Sequence, residues 1–334
     1  MKAIILVAGV GSKTTQPTNL QPKGLLTLAD KPILGHIIDD LMQAGIDNFV
    51  FVIGSLGYKV QQYVRMRYKK RIKAEFIIQE PRLGSAHAVW TARQFFSNEP
   101  EVLLIFGDTI SSLDTKKFIR NKTSTVGVTK VDKPSAFGIV EINKKGEVSK
   151  FSEKPKIPKS NLALVGLYKI RNVSLLLEAI GQNIENKKQT QGEYHLTDAL
   201  TEMLKAGEVF ETVEVNHWYD CSCKETLLEA NEVMLKQEKF EIVQPEKYHN
   251  TILIPPVSIG ENTKISNSII GPYVSIGSNT TINSCIVQTS IVCSNANLLN
   301  IILRKTVIGN DTNVKGAFRS LYVSDESSVD MQKD

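Results

Sequence analysis

Two glycines, Gly9 and Gly11, directly follow the apolar run Ala3–Val7, and a Pro22-Lys23 pair closes the same loop. Glycine lets backbone N–H groups approach an anion closely, so a glycine pair after a strand is suited to cradling phosphates. No Gly-Lys-Ser/Thr follows at P-loop spacing, and Thr14 stands where a G-x-G-x-x-G fingerprint needs its last glycine. Asp108 ends a second apolar run, "EVLLIFGD", and offers a carboxylate for an acid, a cap or a cation ligand. The four cysteines fall as Cys221-x-Cys223 and the distant Cys285 and Cys293. Zinc sites favour Cys-x2-Cys spacing, so reduced thiols in a cytoplasmic setting are expected. The run "RMRYKKRIK", Arg65 to Lys73, reads as a solvated helix end rather than a nucleic-acid surface.

The elements that must hold these residues follow from hydrophobic spacing. "AIILVAG", "FVFVIGS", "EFIIQE", "EVLLIFGD" and "STVGVTKV" are short, β-branched and bounded by Gly, Asp or polar residues, as strands are. "LGHIIDDLMQAG" and "AHAVWTARQFF" carry apolar residues at helical spacing, with Gly45 as a helix stop. Such alternation builds a largely parallel sheet covered by helices, and ligands of these sheets bind at the carboxyl ends of the strands. The loop after Ala8 and Asp108 both fall at such ends. The 334 residues suffice for two domains, and 42% hydrophobic with 22% charged residues and a net charge of +5 describe an ordinary globular chain. No stretch approaches a membrane span, and the first apolar run is too short for a signal peptide and reads as a buried strand.

From about residue 250 the pattern changes. Ile259-Gly260, Ile276-Gly277 and Ile308-Gly309 recur, and Ile265, Ile270, Ile282 and Val287 fill positions between them. A near six-residue step with one inward aliphatic marks a parallel β-helix of two to four coils. The polar end, "SDESSVDMQKD", is expected to fray.

The motifs also occur in a telling order. "AGVGSKTTQPTNLQPKGLL", "QEPRLGSAHAV" (Gln79 to Val89), "IFGD", "FGIVEI", "SEKPKIPKSNLALVGLY" (Ser152 to Tyr168), "GEYHLTDAL" (Gly192 to Leu200) and "WYDCSCKETLLEAN" (Trp218 to Asn231) span nearly the whole chain. Together they resemble the sugar-1-phosphate nucleotidylyltransferases, and glucose-1-phosphate thymidylyltransferases in particular. "LGSAHAV" and "GEYHLTDAL" equally resemble N-acetylglucosamine-1-phosphate uridylyltransferases.

The resemblance implies an α/β fold: a Rossmann-like mixed, mostly parallel sheet domain (1–236), a linker (237–250), a short left-handed parallel β-helix (251–324) and a tail (325–334). It implies attack of a sugar-1-phosphate oxygen on the α-phosphorus of dTTP or UTP, with pyrophosphate expelled. That reaction needs in-line positioning and cations rather than covalent catalysis. By the same resemblance Asp108 and Asp220 hold Mg²⁺, Lys13 and Lys23 face the triphosphate, and Lys154 faces the sugar phosphate. Ala8, Gly9, Gly11, Gln79 and Gly84 bind the nucleotide, with Gln79 offering a donor and an acceptor to a pyrimidine edge. Gly138, Glu153, Val165, Gly166 and Glu193 line the sugar site. His87 and His195 are read as satisfied structural histidines. The implied partners are the two substrates and other copies of the chain through the β-helix, with no nucleic acid or membrane.

Three departures stand out. Lys13 replaces the usual catalytic arginine and loses its planar fork. Thr14 replaces a leucine or methionine, and Asp220-Cys221-Ser222-Cys223 replaces Asp-x-Gly-Thr. The competing expectation is therefore a weakened paralogue that binds nucleotide as a regulatory subunit. Acyl transfer in the β-helix is excluded on the usual need for a histidine base, since all five histidines, His36 to His249, precede the repeats.

Overall fold

The computed structural model forms two compact units, Met1–Lys239 and Phe240–Asp334, and describes residues 1–9, 21–237 and 247–317. The first unit begins β1 (Lys2–Val7), β2 (Thr27–Leu28), β3 (Lys31–Pro32), α1 (Ile33–Gln43), β4 (Asn48–Ile53), α2 (Gly57–Tyr68) and β5 (Lys73–Ile78). It continues with α3 (Ser85–Thr91), β6 (Val102–Phe106), β7 (Thr109–Ser111), α4 (Thr115–Ile119), β8 (Ser124–Lys130), β9 (Gly138–Ile142), β10 (Val148–Glu153) and β11 (Leu162–Ile170). It closes with α5 (Val173–Glu185), α6 (Leu196–Lys205), β12 (Phe210–Glu214), β13 (Trp218–Asp220) and α7 (Lys224–Gln237).

The central apolar runs form the sheet because they bury both faces, as strands covered on two sides must, whereas β5 at the edge stays partly exposed. Ile4, Val50, Val52 and Leu104 are fully buried within one core that also takes in Val126, Tyr168 and Ile180. The nine-stranded sheet runs β10-β9-β11-β6-β1-β4-β5, with β8 paired to β11 and β12 to β8. β1 lies parallel to β4 and β6, and β4 parallel to β5. β11 is antiparallel to β6, β8 and β9, and β10 is antiparallel to β9, so every strand but β10 and β11 points the same way. α1 stops where expected: Gly45 has φ +93°, its N–H meets the Met42 carbonyl at 3.0 Å and the Ile46 N–H meets Leu41 at 2.9 Å. These paired bonds close the helix in a Schellman motif.

Outside this sheet β7 and β13 pair antiparallel, with Asp220 opposite Thr109. No helix among the described residues is long and apolar enough to cross a membrane.

The second unit stacks three parallel four-stranded sheets, consistent with a left-handed β-helix. One coil advances 17 residues between Asn262 and Asn279 and 16 between Asn295 and Asp311. Ile265, Ile270, Val274, Ile276, Ile282, Val287, Val292 and Leu298 fill its interior, and Tyr248 packs into the same core. Corners fall on residues that tolerate the left-handed region: Asn262, Asn279 and Asn295 have φ of 57°, 58° and 59°. Their amides stack, with Asn262 Nδ2 donating to Asn279 Oδ1 at 3.3 Å.

Candidate functional site

Two clefts open at the carboxyl ends of β1 and β6. One, of about 340 Å³, is lined by Gly138, Glu153, Lys154, Val165, Gly166, His195, Thr197, Trp218 and Asp220 among others. The second, of about 310 Å³, is lined by Ala8, Gly9, Gln79, Arg82, Gly84 and Ala88. Ser85, Phe106, Asp108 and Glu193 belong to both and form a common wall. Each volume suits a small-molecule site.

The residues expected to bind nucleotide that lie within the described chain (Ala8, Gly9, Gln79 and Gly84) gather in the second cleft. Ala8 and Gly9 directly follow β1, and among the described residues nothing lies within 4 Å of where a Cβ on Gly9 would sit. Gly11 and Lys13 lie outside the described residues. Gln79, directly after β5, is buried at 5% exposure. Its Nε2 donates to the Gly84 carbonyl at 2.9 Å and lies 3.2 Å from His87 Nδ1. Both amide hydrogens are thereby engaged, and only Oε1 is left for a ligand, rather than the donor–acceptor pair expected from the sequence. The Gly84 N–H makes no hydrogen bond among the described residues. Gly84 is required by its surroundings: φ is +106° and a Cβ would lie 2.5 Å from the Tyr194 carbonyl oxygen.

The sugar-side residues line the first cleft. Gly138 opens β9 opposite Glu153 at the end of β10, and a Cβ there would sit 3.0 Å from Glu153 Oε2. Thr197 Oγ1 donates to that same oxygen at 2.8 Å, and His195 Nδ1 lies 3.6 Å from Oε1. The carboxylate is thus hydrogen-bonded by Thr197 and neighboured by His195, side chains that sequence motifs alone do not assign. Val165 and Gly166 occupy the irregularity in β11 where its register with β8 shifts. Gly166 has φ +80°, and a Cβ there would crowd Phe106 at 2.9 Å. The Val165 carbonyl accepts Trp218 Nε1 at 3.2 Å. Lys154 adopts φ 39° with its N–H on the Phe137 carbonyl at 3.0 Å.

The common wall carries the charge. The β7–β13 pairing sets Asp220 beside Asp108, and the Cys221 N–H donates to the Asp108 carbonyl at 3.0 Å. Burial, and then the Asp220 carboxylate, raise the pKa of Asp108, while Lys23 acts in the opposite direction. Lys23 opens a short 3₁₀ turn packed under the Asp108 loop; a Cβ on Gly24 would lie 2.8 Å from the Gly107 carbonyl oxygen. The altered turn after Asp220 is internally satisfied. The Ser222 N–H caps Asp220 Oδ1 at 3.0 Å, and Thr226 Oγ1 donates to the Asp220 carbonyl. Burial, followed by Asp108 and Asp220, raises the Cys221 thiol well above its ordinary value, so it stays protonated.

Two adjacent carboxylates, Asp108 with its proton affinity raised, suit a hard divalent cation. Among the described residues no set of three or more His, Cys, Asp or Glu forms a protein-only cage. Mg²⁺ needs none, since one or two carboxylates plus substrate phosphates and waters complete its shell. Arg82, Ser85, Phe106, Thr197 and Trp218 were given no role from sequence, and His195 only a structural one; all but Thr197 sit within two residues of a predicted site residue, which is the local signal they give.

Residues 2–237 match the family model described as "Nucleotidyl transferase". The chain is 29% identical over 249 residues to the low-salt glycan biosynthesis nucleotidyltransferase Agl11 of Haloferax volcanii, covering 72% of this chain and 68% of the relative. It is 33% identical over 241 residues to the bifunctional protein GlmU of Methanococcus maripaludis, covering 71% of this chain but only 55% of that protein's length. A glucose-1-phosphate thymidylyltransferase of Streptomyces griseus aligns over 95% of this chain and 94% of its own at 27% identity. Among solved structures, one assigned to a glucose-1-phosphate thymidylyltransferase of Bacillus anthracis, in complex with sucrose, superposes with a TM-score of 0.62 at 25% identity, covering 72% of this chain and 97% of that one. A match this extensive, over the unit that carries both clefts, makes the chain a member of the nucleotidyl transferase family.

Proposed function

We propose that this protein joins a nucleoside triphosphate, UTP or dTTP, to a sugar-1-phosphate and releases pyrophosphate. The observation that carries the reading is the common wall. Residues suited to a base and triphosphate line one cleft, residues suited to a sugar line the other, and Asp108 lies between them. The names of the relatives support a sugar phosphate as the acceptor, since thymidylyltransferases of glucose-1-phosphate are among them.

In this reading Gln79 Oε1 accepts the N–H of a uracil or thymine edge and the Gly84 N–H donates to a neighbouring base carbonyl. Glu153, oriented by the Thr197 hydroxyl, and Glu193 accept sugar hydroxyls. The Lys154 ammonium orients the sugar phosphate for attack on the α-phosphorus, while Lys23 and Lys13 neutralise the triphosphate. Asp108 and Asp220 would hold Mg²⁺, which when bound supplies positive charge at the phosphoryl oxygens. Opening the clefts on a shared carboxylate lets the two substrates meet in line without a covalent enzyme intermediate.

The test is pyrophosphate release with Mg²⁺ and glucose-1-phosphate or N-acetylglucosamine-1-phosphate, across UTP, dTTP, CTP, ATP and GTP. Turnover with UTP or dTTP that Asp108→Asn abolishes supports the reading and names the sugar. Nucleotide binding without release from any pair would overturn it in favour of the regulatory paralogue suggested by Lys13 and the Cys221–Cys223 turn.

A further inference from the structure

Gln79 is held in an unusual way for a side chain that is to read a base. A primary amide ordinarily presents both a donor and an acceptor, and it can rotate to exchange them. Here the Gly84 carbonyl, which can only accept, lies 2.9 Å from Nε2. Turning the amide over would set Oε1 against that carbonyl, acceptor facing acceptor, so one orientation is selected. A single bond still leaves the second amide hydrogen free to offer itself to a ligand. His87 Nδ1, 3.2 Å from the same nitrogen, removes that freedom. Because Nε2 has no lone pair to give, it must be the donor in this contact and Nδ1 the acceptor. His87 is therefore in the tautomer with its proton on Nε2, and burial, which lowers its pKa, favours that neutral form.

We propose that His87 is a positioning residue for base selection: by taking the second amide hydrogen of Gln79, it leaves Oε1 as the sole group that Gln79 shows to the base. The inference rests on the nucleotide reading of this cleft and goes beyond it. An acceptor alone rewards a base whose ring nitrogen carries a hydrogen, as in uracil and thymine. It opposes cytosine, whose corresponding ring nitrogen is itself an acceptor. Without His87, the freed hydrogen of Gln79 can donate to that nitrogen, and the penalty against cytosine shrinks. The residue reaches the base through Gln79, so its removal alters discrimination more than the chemical step.

The experiment compares wild type, His87→Leu and His87→Asn. Asn places Oδ1 where Nδ1 stood and so restores the acceptor, whereas Leu keeps bulk and removes it. Calorimetric titration with UTP and CTP in Mg²⁺ gives dissociation constants that need no turnover, and the KM and kcat for UTP follow from pyrophosphate release. The UTP-over-CTP preference should fall about tenfold in His87→Leu, the scale of one oriented hydrogen bond. It should return at least in part in His87→Asn, and KM for UTP should rise more than kcat falls. A preference in the wild type that His87→Leu leaves intact would overturn the role of His87 while sparing the nucleotide reading. Equal weakening toward both nucleotides would do the same, because it marks a merely structural residue. A wild type without preference between UTP and CTP would overturn both.

Discussion

Replacing Gly84 with alanine tests the wall of the proposed nucleotide cleft in a way that can be worked out beforehand. The residue sits at φ +106°, a region costing a side chain about 1–3 kcal/mol. The new Cβ would also lie 2.5 Å from the Tyr194 oxygen, 2.9 Å from its nitrogen and 3.0 Å from its carbonyl carbon, all of them backbone atoms. That backbone has no room to yield, because the Tyr194 N–H is bound to the Leu83 carbonyl at 2.8 Å and its own carbonyl to the Ala86 N–H at 2.9 Å. Breaking one such bond adds about 1 kcal/mol, so Gly84→Ala should lower stability by about 3 kcal/mol. Gly146 provides the control. It has a φ of +83° but nothing within 4 Å of its would-be Cβ, so Gly146→Ala should pay only the backbone term, about 1 kcal/mol. Urea unfolding of the two variants isolates the steric part, and UTP titration should show weakened binding for Gly84→Ala alone, because the strand of contact being displaced leads directly to Glu193 and His195. Equal destabilisation by the two alanines, with UTP binding intact, would refute the close approach of Gly84 to Tyr194.

Other outcomes follow from the proposed reaction and from the described geometry. Lys13→Arg should raise turnover by tens to hundreds of fold, since a restored bidentate donor contributes on the order of 2–4 kcal/mol to a phosphoryl transition state; steady-state pyrophosphate release measures it, and an unchanged kcat would show that this position does not limit the rate. Thr197→Val keeps the shape but removes the 2.8 Å bond to Glu153, and should raise KM for the sugar phosphate about tenfold with a smaller effect on nucleotide affinity. His36 is buried with Nε2 2.8 Å from the Leu28 carbonyl, and burial lowers its pKa below the ordinary value. The unfolded chain takes up this proton near pH 6.5 while the folded one does not, so the stabilisation is present above that pH and is lost as pH falls below it. The slope is at most about 1.4 kcal/mol per pH unit, and urea unfolding at pH 7.5 and 5.5 should show wild type losing more stability than His36→Gln.

The sequence was informative wherever function depends on what ends an apolar run. Val7, Ile78 and Phe106 close strands, and Ala8, Gln79 and Asp108 accordingly lie at the clefts. The β-helix was equally legible, because each coil repeats its own inward aliphatic. Pairing between distant segments left no such mark. β11 reads as an apolar stretch, but nothing local shows that it enters the sheet antiparallel between β6 and β8. Trp218–Asp220 is too short to announce a strand, yet its pairing with Thr109–Ser111 is what brings Asp220 to Asp108. His87 was passed over for a related reason: a histidine on a seven-residue helix has no meaning until the position of the Gln79 amide is known. The Asp-Cys-Ser-Cys turn looked like damage, whereas its backbone still caps the Asp220 carboxylate.

The wall shared by the two clefts ties the substrates together thermodynamically. Ser85, Phe106, Asp108 and Glu193 cannot adjust to one occupant without changing what the other meets. Whatever factor a bound nucleotide applies to the affinity for sugar phosphate, the sugar phosphate must return to the nucleotide in equal measure. Evolution of a new sugar preference at this wall would therefore carry a change in nucleotide affinity with it. Variants at Glu153 or Gly138, which line only the cleft proposed for the sugar, leave the two quantities free to move apart.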